Sequence, residues 1–319
     1  MSNTSVRAVL QQAIAQLDAA HTDAPKTTAR VLLAQALGKP KEWLIAHDDL
    51  TPDPAQLEAF NALLARVIAH EPMAYVLGHR EFYGLDFYVD SRVLIPRPET
   101  EMLVELALQE LRVENKELRV ENEKLRAENE ELRKESSDVS QFSILNSQFD
   151  LLDIGTGSGA VPIAVASKLP HARIMASDVS ADALAVATIN AQRNNVAHQI
   201  NFVQSDLLGG IDELPRVLTA NLPYVTTDEI VGLQPEIQDH EPRVALDGGR
   251  DGLDLVRKLL TQIAQRMKMR NVAMQAAFLE FGASQGAAIL NLAQTILPFA
   301  QSEIKQDLAK LDRVLCIHF

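Results

Sequence analysis

The chain has 319 residues, of which 47% are hydrophobic and 5% aromatic, and its formal net charge is −13 at pH 7. This acidity argues against a non-specific nucleic-acid binder, which needs phosphate-neutralising Lys and Arg, and the single cysteine, Cys316, excludes a disulfide within the chain. The first residues lack a signal-peptide pattern and no apolar run approaches the roughly 18 residues of a membrane span, so we expect a cytoplasmic protein without a membrane contact.

The N-terminal part of the chain is predicted to be helical. Apolar residues recur at helical spacing from residue 5 to residue 70, as in Leu57–Ile68. Four prolines fall between the apolar runs and divide them into separate helices: Pro25, Pro40, Pro52 and Pro54. We therefore predict a small helical bundle domain over residues 1–80. Because no catalytic cluster lies in it, we interpret it as a substrate-recognition domain.

A hairpin and a connecting helix are predicted over residues 81–111. Phe82-Tyr83 and Phe87-Tyr88-Val89 flank Gly84-Leu85-Asp86, which is predicted to be the turn.

The segment that follows is predicted to be rigid and extended, because two prolines stand two residues apart in Ile95-Pro96-Arg97-Pro98. A helix is predicted to begin at about Glu99. Arg97, Glu99 and Glu101 either line a site or form ordinary surface ion pairs.

A heptad repeat occupies much of residues 112–148. Leucines recur every seven residues at the d position and asparagines at the a position: Leu111, Leu118, Leu125, Leu132, Asn115, Asn122 and Asn129. The pattern predicts either a short parallel coiled coil that makes a homodimer or a solvated helix that projects as an arm. The serine-rich run Ser136–Gln148 is predicted to be a loop that returns to the domain.

Strands and helices alternate over residues 149–319. This alternation predicts an α/β domain with a doubly wound, mostly parallel sheet, in which the last two strands meet at a short turn and an antiparallel strand closes the edge. The predicted strands contain Leu151-Leu152, Arg173–Ala176, Ile200–Val203, Val217-Leu218, Ala277–Phe281, Ser302–Leu308 and Arg313–Phe319; the predicted helices are Val161–Leu169, Ala181–Asn194, Leu253–Lys268 and Ala287–Leu297.

A glycine-rich loop follows the first of these strands. Asp153 precedes Gly155-Thr156-Gly157-Ser158-Gly159, whose glycines let the backbone approach a ligand closely before a helix begins. Asp178 ends the second strand, where a carboxylate accepts hydrogen bonds from two ribose hydroxyls, and Ser205-Asp206 ends the third, where an adenine amino group is expected. The combination resembles the S-adenosylmethionine site of a class I methyltransferase, although each Asp alone could simply cap the following helix.

The motif Asn221-Leu222-Pro223-Tyr224 follows the fourth strand. Pro223 restricts its own φ and favours an extended Leu222, so the Leu222 carbonyl and the Asn221 side-chain oxygen are held side by side. Two adjacent acceptors suit a planar NH2 group, which has two hydrogens to donate. The pair would aim the nitrogen at a methyl donor and stabilise developing positive charge, Tyr224 would be a stacking wall, and no general base would be needed. A plain turn after a strand is the alternative for these four residues alone.

Several long motifs resemble the PrmC/HemK family of release-factor glutamine methyltransferases. They are Glu71–Gly84, Ile95–Glu101, Asn221–Tyr224 and Glu241–Leu253, so the resemblance covers the chain apart from residues 112 to about 148. It implies a Rossmann-like, seven-stranded class I methyltransferase and N5-methylation of the glutamine in the Gly-Gly-Gln motif of class-1 peptide chain release factors.

The same resemblance assigns the site residue by residue. The S-adenosylmethionine contacts would be Gly155 to Gly159, Asp178 and Asn221, with Leu207 where the family often has an aromatic residue, and Asn221 to Tyr224 would hold the glutamine. Leu222 replaces the commoner proline, which is tolerable because its carbonyl does the binding. No metal ligand set is expected.

Two alternative functions differ in class. An adenine N6-methyltransferase would share the Asn-x-Pro-Tyr motif but needs a basic, aromatic base-flipping surface, which the sequence does not offer. A coiled-coil adaptor with a degenerate methyltransferase fold is disfavoured by the intact glycine loop and Asn221.

Overall fold

The computed structural model describes residues 5–112, 149–269 and 274–319. The predicted N-terminal helices are confirmed as α1 (Val6–Ala19), α2 (Pro25–Leu37), α3 (Lys41–Ala46) and α4 (Pro54–Ile68), and a short α5 (Met73–Leu77) follows. Ser5 and Asp53 cap α1 and α4 by accepting backbone N–H groups with their side chains. The bundle has its own apolar core, which includes the fully buried Leu17, Leu33 and Phe60.

The hairpin is present, but its predicted turn is wrong. Strands β1 (His79–Phe82) and β2 (Leu85–Tyr88) are antiparallel, and Leu85 pairs with Phe82. The turn is therefore Tyr83-Gly84, where both residues have positive φ, 53° and 76°. Two consecutive left-handed residues form the turn whose twist matches a two-residue hairpin.

A 3-10 turn over Pro98–Thr100 leads into helical residues 101–112, here α6. The hairpin and α6 pack together through Phe82, Phe87, Leu103 and Leu108. The predicted coiled coil and the returning loop lie outside the described residues, apart from Leu111, which is buried in the same cluster.

Seven strands form the central sheet in the order β5-β4-β3-β6-β7-β9-β8. β3 to β7 are parallel, whereas β9 is antiparallel to both of its neighbours. The prediction of an antiparallel strand at the edge is thus wrong: β9 lies one strand inside, and the edge strand β8 runs in the direction of the parallel set. The strands are β3 (Leu151–Ile154), β4 (Ile174–Asp178), β5 (Ile200–Gln204), β6 (Val217–Asn221), β7 (Ala276–Glu280), β8 (Gln301–Gln306) and β9 (Asp312–His318).

Helices cover both faces of the sheet, which confirms the doubly wound α/β prediction. On one face, apolar residues of α7 (Ala160–Lys168) and α8 (Ala181–Arg193) join the cluster that contains the hairpin and α6. On the other, α10 (Asp254–Met269) and α11 (Gly286–Ile296) form a second core with β6 and β7. A shorter helix, α9 (Pro235–Gln238), precedes α10.

The strand order reverses at β3, which has β4 on one side and β6 on the other. The connections after β3 and β6 therefore diverge and leave a crevice at the carboxyl ends of the strands, the usual ligand site of an open α/β sheet. No helix in the described ranges has the length and apolar character to cross a bilayer.

Candidate functional site

A cavity of about 400 Å³ occupies this crevice. The loops after β3, β4, β5 and β6 form its floor and sides, and the extended segment 92–97 forms a further wall. Most of the residues singled out in the sequence line it: Asp153, Gly155, Thr156, Gly157, Ser158, Asp178, Asp206, Leu207, Asn221, Leu222 and Pro223. Gly159 and Tyr224 are not among the lining residues.

The glycine loop is tied to Asp178 by direct hydrogen bonds. Gly157 N donates to Asp178 Oδ2 at 2.9 Å, and Ser180 N donates to Asp178 Oδ1 at 2.9 Å. Gly155, Gly157 and Gly159 all have positive φ (70°, 54° and 80°), a backbone that favours glycine. Each Asp178 oxygen retains lone pairs for a further donor, so this carboxylate can hold the loop and a diol at once.

Asp153 lines the cavity from beneath the glycine loop, where little of its surface is exposed. The residue is 3% exposed, and its carboxyl accepts a hydrogen bond from Thr219 Oγ1 at 2.7 Å, across the β3–β6 pair. Burial raises the pKa of the Asp153 carboxyl to about 7, although the Thr219 hydroxyl lowers it. The geometry indicates that Asp153 holds the ends of β3 and β6 together below the crevice.

Asp206 and Leu207 form the wall after β5. Leu207 is buried and has a positive φ of 54°, and Asp206 forms an ion pair with Lys258 Nζ at 2.5 Å. Lys258 also lines the cavity. Sequence reasoning missed this lysine, because it lies within α10, far along the chain from the glycine loop.

Asn221 ends β6 with its amide at the cavity. Asn221 Nδ2 donates to Thr100 Oγ1 at 3.0 Å, so a residue from the 3-10 turn before α6 holds the predicted amide. Leu222 and Pro223 follow it along the cavity wall. The Asn-x-Pro segment and the glycine loop therefore face one space, as the sequence predicts, and Thr100 is a site residue that sequence reasoning missed.

Tyr224 lies beside the cavity, not in its lining. Gln285 Nε2 donates to the Tyr224 carbonyl at 3.0 Å. Burial, and to a lesser extent the nearby Glu280 charge, raises the pKa of the Tyr224 phenol to about 12. The proposal that its ring forms a stacking wall has no support from the cavity lining.

The wall at residues 92–97 is anchored from two directions. Arg97 Nη2 forms an ion pair with Glu241 Oε1 at 2.5 Å, and Ile95 N donates to Glu241 Oε2 at 3.4 Å. Tyr75 OH from α5 donates to the Val93 carbonyl at 2.5 Å. The Glu241 side chain is 1% exposed, and burial raises the pKa of this carboxyl although Arg97 lowers it. Of the charged residues near the prolines, Arg97 lines the cavity, whereas Glu101 accepts a hydrogen bond from Tyr83 N.

Glu280 is a second site residue that the sequence analysis missed. It ends β7 directly opposite Asn221 in the parallel register and is 2% exposed. A carboxylate at the end of the apolar run Ala276–Leu279 is an unusual feature that could have identified it.

The residues present fit S-adenosylmethionine. The cavity volume falls in the usual range of about 300–1,000 Å³ for small-molecule sites, and its floor offers a glycine loop and a carboxylate with free lone pairs for a ribose. The described residues contain no group of three or more His, Cys, Asp or Glu side chains placed to hold a metal ion.

These features define the chain as a class I S-adenosylmethionine-dependent methyltransferase with an N-terminal helical domain. The family described as methyltransferase small domain matches residues 139–231, and the family described as PrmC N-terminal domain matches residues 8–78. The fold is also that of the hMettl16 catalytic domain solved with the MAT2A 3′UTR hairpin 6, with a TM-score of 0.52 and 13% identity over 84% of this chain and 82% of that one.

Two curated relatives identify the family more closely. The release factor glutamine methyltransferase of Nitratidesulfovibrio vulgaris is 31% identical, with 98% of this chain and 95% of the relative covered. That of Moorella thermoacetica is 33% identical, with 97% and 96% covered. The chain belongs to the release factor glutamine methyltransferase family.

Proposed function

We propose that this protein methylates N5 of the glutamine in the Gly-Gly-Gln motif of class-1 peptide chain release factors, with S-adenosylmethionine as the methyl donor. The observation that carries the proposal is that Asn221 and Leu222 line the same cavity as the glycine loop and Asp178. Full-length similarity to curated release factor glutamine methyltransferases supports the substrate class.

The cofactor, when bound, supplies a methyl group that is already activated on a sulfonium sulfur. Gly155 to Gly159 would pass closely along it, Asp178 would accept the ribose hydroxyls, and Asp206 and Leu207 would contact the adenine. Because the methyl needs no acid catalyst, the chain has to position the acceptor nitrogen and exclude water.

The glutamine amide is a weak nucleophile because its nitrogen lone pair is delocalised into the carbonyl. Asn221 Oδ1 and the Leu222 carbonyl would each accept one N–H of that amide. The two acceptors would orient the nitrogen and stabilise the positive charge that develops before a proton leaves it. Positioning of this kind is worth up to about 7–11 kcal/mol.

The substrate is tested by offering labelled S-adenosylmethionine with a purified class-1 release factor, with DNA or RNA, and with no acceptor, and by mapping any methyl group by mass spectrometry. A methyl on the Gly-Gly-Gln glutamine is expected. Methylated nucleic acid with an untouched release factor would instead identify a nucleic-acid adenine methyltransferase, and no transfer to either would contradict the proposed activity.

The role of Asn221 is tested by Asn221→Ala. Loss of a preorganised group that meets developing charge lowers kcat by about 100- to 1,000-fold, so we expect a loss of this size with a much smaller change in cofactor affinity. Asn201→Ala, an exposed asparagine on β5, is the matched control and should retain wild-type turnover. Wild-type kcat in Asn221→Ala would refute the assigned role.

A further inference from the structure

A buried carboxyl group lies directly behind Asn221. Asn221 and Glu280 are paired across the parallel strands β6 and β7. Glu280 is 2% exposed and is not part of the cavity lining, so it does not reach the substrate space itself. A buried carboxylate is costly unless hydrogen bonds compensate for the lost water, and its position therefore calls for a physical account.

Three polar side chains lie together here. Asn221 Nδ2 donates to Thr100 Oγ1 at 3.0 Å, and Glu280 is the register neighbour of Asn221. The Thr100 and Asn221 side chains both lower the pKa of the Glu280 carboxyl. The two ends of a side-chain amide are nearly identical in shape, so packing alone cannot decide which end faces the cavity. An ionised carboxylate can only accept, so the end of Asn221 that faces Glu280 must be its NH2 group.

We infer that Glu280 and Thr100 are positioning residues that hold the Asn221 amide with its NH2 group toward the protein and its oxygen toward the acceptor substrate. The inference rests on the proposed glutamine methylation. If the amide turned over, Asn221 would present two N–H donors to the donor-bearing NH2 of the glutamine. The substrate would then lose one of its two acceptors.

The ionisation state of Glu280 decides whether this orientation is enforced. Burial raises the pKa of Glu280 to about 7; the Thr100 hydroxyl lowers it, the Glu99 charge raises it, and Arg313 and Asn221 lower it. Arg313 is itself paired with Asp307 at 2.9 Å, and Tyr224 is the other titratable group whose pKa senses the Glu280 charge.

Below about pH 7, Glu280 carries a proton and can donate as well as accept. Among the described residues, Glu280 Oε2 has no hydrogen-bond partner and offers a place for this proton. A protonated carboxyl no longer requires the NH2 end of Asn221. Because the amide of a glutamine substrate does not titrate near neutrality, kcat should rise with pH through about 7 as Glu280 ionises.

The kinetic experiment compares Glu280→Gln, Asn221→Ala and the double variant with the wild type across pH 6 to 9. Glutamine keeps the volume but offers both a donor and an acceptor. We expect Glu280→Gln to lower kcat by about 10-fold, at the low end of the range known for groups that orient metal ligands, to lose the rise near pH 7 and to leave cofactor affinity unchanged. The double variant should be no slower than Asn221→Ala, because residues that act through one another are not additive.

Two further pairs of variants separate positioning from packing. Thr100→Val keeps the shape of the side chain but removes the hydroxyl, and should lower kcat. Thr100→Ser keeps the hydroxyl and should retain a kcat close to that of the wild type. Glu303→Gln, an exposed glutamate on β8, is the control for Glu280→Gln and should leave kcat unchanged. Wild-type kcat and pH dependence in Glu280→Gln, or an additive loss in the double variant, would overturn the inference while leaving the proposed function intact.

A readout without substrate keeps the inference testable if no release factor is methylated. In ¹⁵N-labelled protein at pH 8.5, the Asn221 side-chain amide, assigned by its absence from Asn221→Ala, should exchange its hydrogens slowly with solvent, because its NH2 group donates to Thr100 Oγ1 and, by the inference, is held against the ionised Glu280. Exchange should be faster in Glu280→Gln. Fast exchange in the wild type would show that the NH2 group is not held, and would refute the inference independently of activity.

Discussion

Gly248→Ala is expected to disable the Asn-x-Pro-Tyr segment without touching any group that contacts substrate. A Cβ atom at Gly248 would lie 2.6 Å from the Pro223 carbonyl oxygen, 2.8 Å from Tyr224 Cα and 2.8 Å from the Gly252 carbonyl oxygen. Gly248 N also donates to the Val225 carbonyl at 2.8 Å, so the backbone at Gly248 is already held against the segment with which a Cβ atom would collide.

The size of the effect follows from these distances. The contact with Pro223 falls 0.8 Å short of the 3.4 Å of ordinary van der Waals contact, and all three opposing atoms belong to the backbone, which cannot rotate away. The segment that carries Leu222 must therefore move by a large fraction of 1 Å. A misplacement of about 1 Å costs about 100-fold in rate, and overpacking costs about 1–3 kcal/mol of stability.

The assay measures kcat and KM for methyl transfer, cofactor affinity by calorimetry and the thermal midpoint. We expect kcat to fall by about 100-fold while cofactor affinity changes little, because the glycine loop and Asp178 are on other strands. Gly232→Ala is the matched control: a Cβ there would meet no atom within 4 Å. Equal turnover in the two variants would refute the argument that Gly248 sets the position of the motif.

Two other measurements test carboxylates in and below the site. Asp178→Asn should raise the Kd for S-adenosylhomocysteine by about 10- to 100-fold, because its NH2 group would face a backbone donor such as Gly157 N and a hydrogen bond to a charged acceptor is worth about 1.5–3 kcal/mol; the exposed Asp182→Asn is the control, and unchanged affinity in Asp178→Asn would contradict the assignment. Burial raises the pKa values of Asp153 and Glu280 to about 7, well above the usual range of a free carboxyl. The folded state therefore binds the extra protons, and the free energy of unfolding should be higher at pH 5.5 than at pH 8.5, by about 2 kcal/mol for each carboxyl. Denaturant titrations should show a shallower pH dependence in Glu280→Gln than in the wild type, and an identical slope would refute the raised pKa of that carboxyl.

Much of the site could be predicted because its parts are local in sequence. The glycine loop, Asp178 and Asn221-Leu222-Pro223 each follow a strand directly, and the carboxyl ends of neighbouring parallel strands meet at one edge of a sheet. Glycine and proline restrict or free the backbone wherever they occur. Alternation of strands and helices then sufficed for the fold class, since it reflects which faces are buried.

Other features depended on contacts between distant segments. Thr100 reaches Asn221 across 121 positions in the chain, and Glu280 meets it only because β7 pairs with β6 in one particular register. The insertion of β9 between β7 and β8 likewise depends on which strands pair, and the sequences of two consecutive strands do not specify that. The sequence alone therefore determined which acceptors end the fourth parallel strand and are proposed to meet the substrate, because backbone chemistry is local. Only the tertiary structure decided how the Asn221 acceptor is oriented, because its partners come from elements that are distant along the chain and adjacent only after folding.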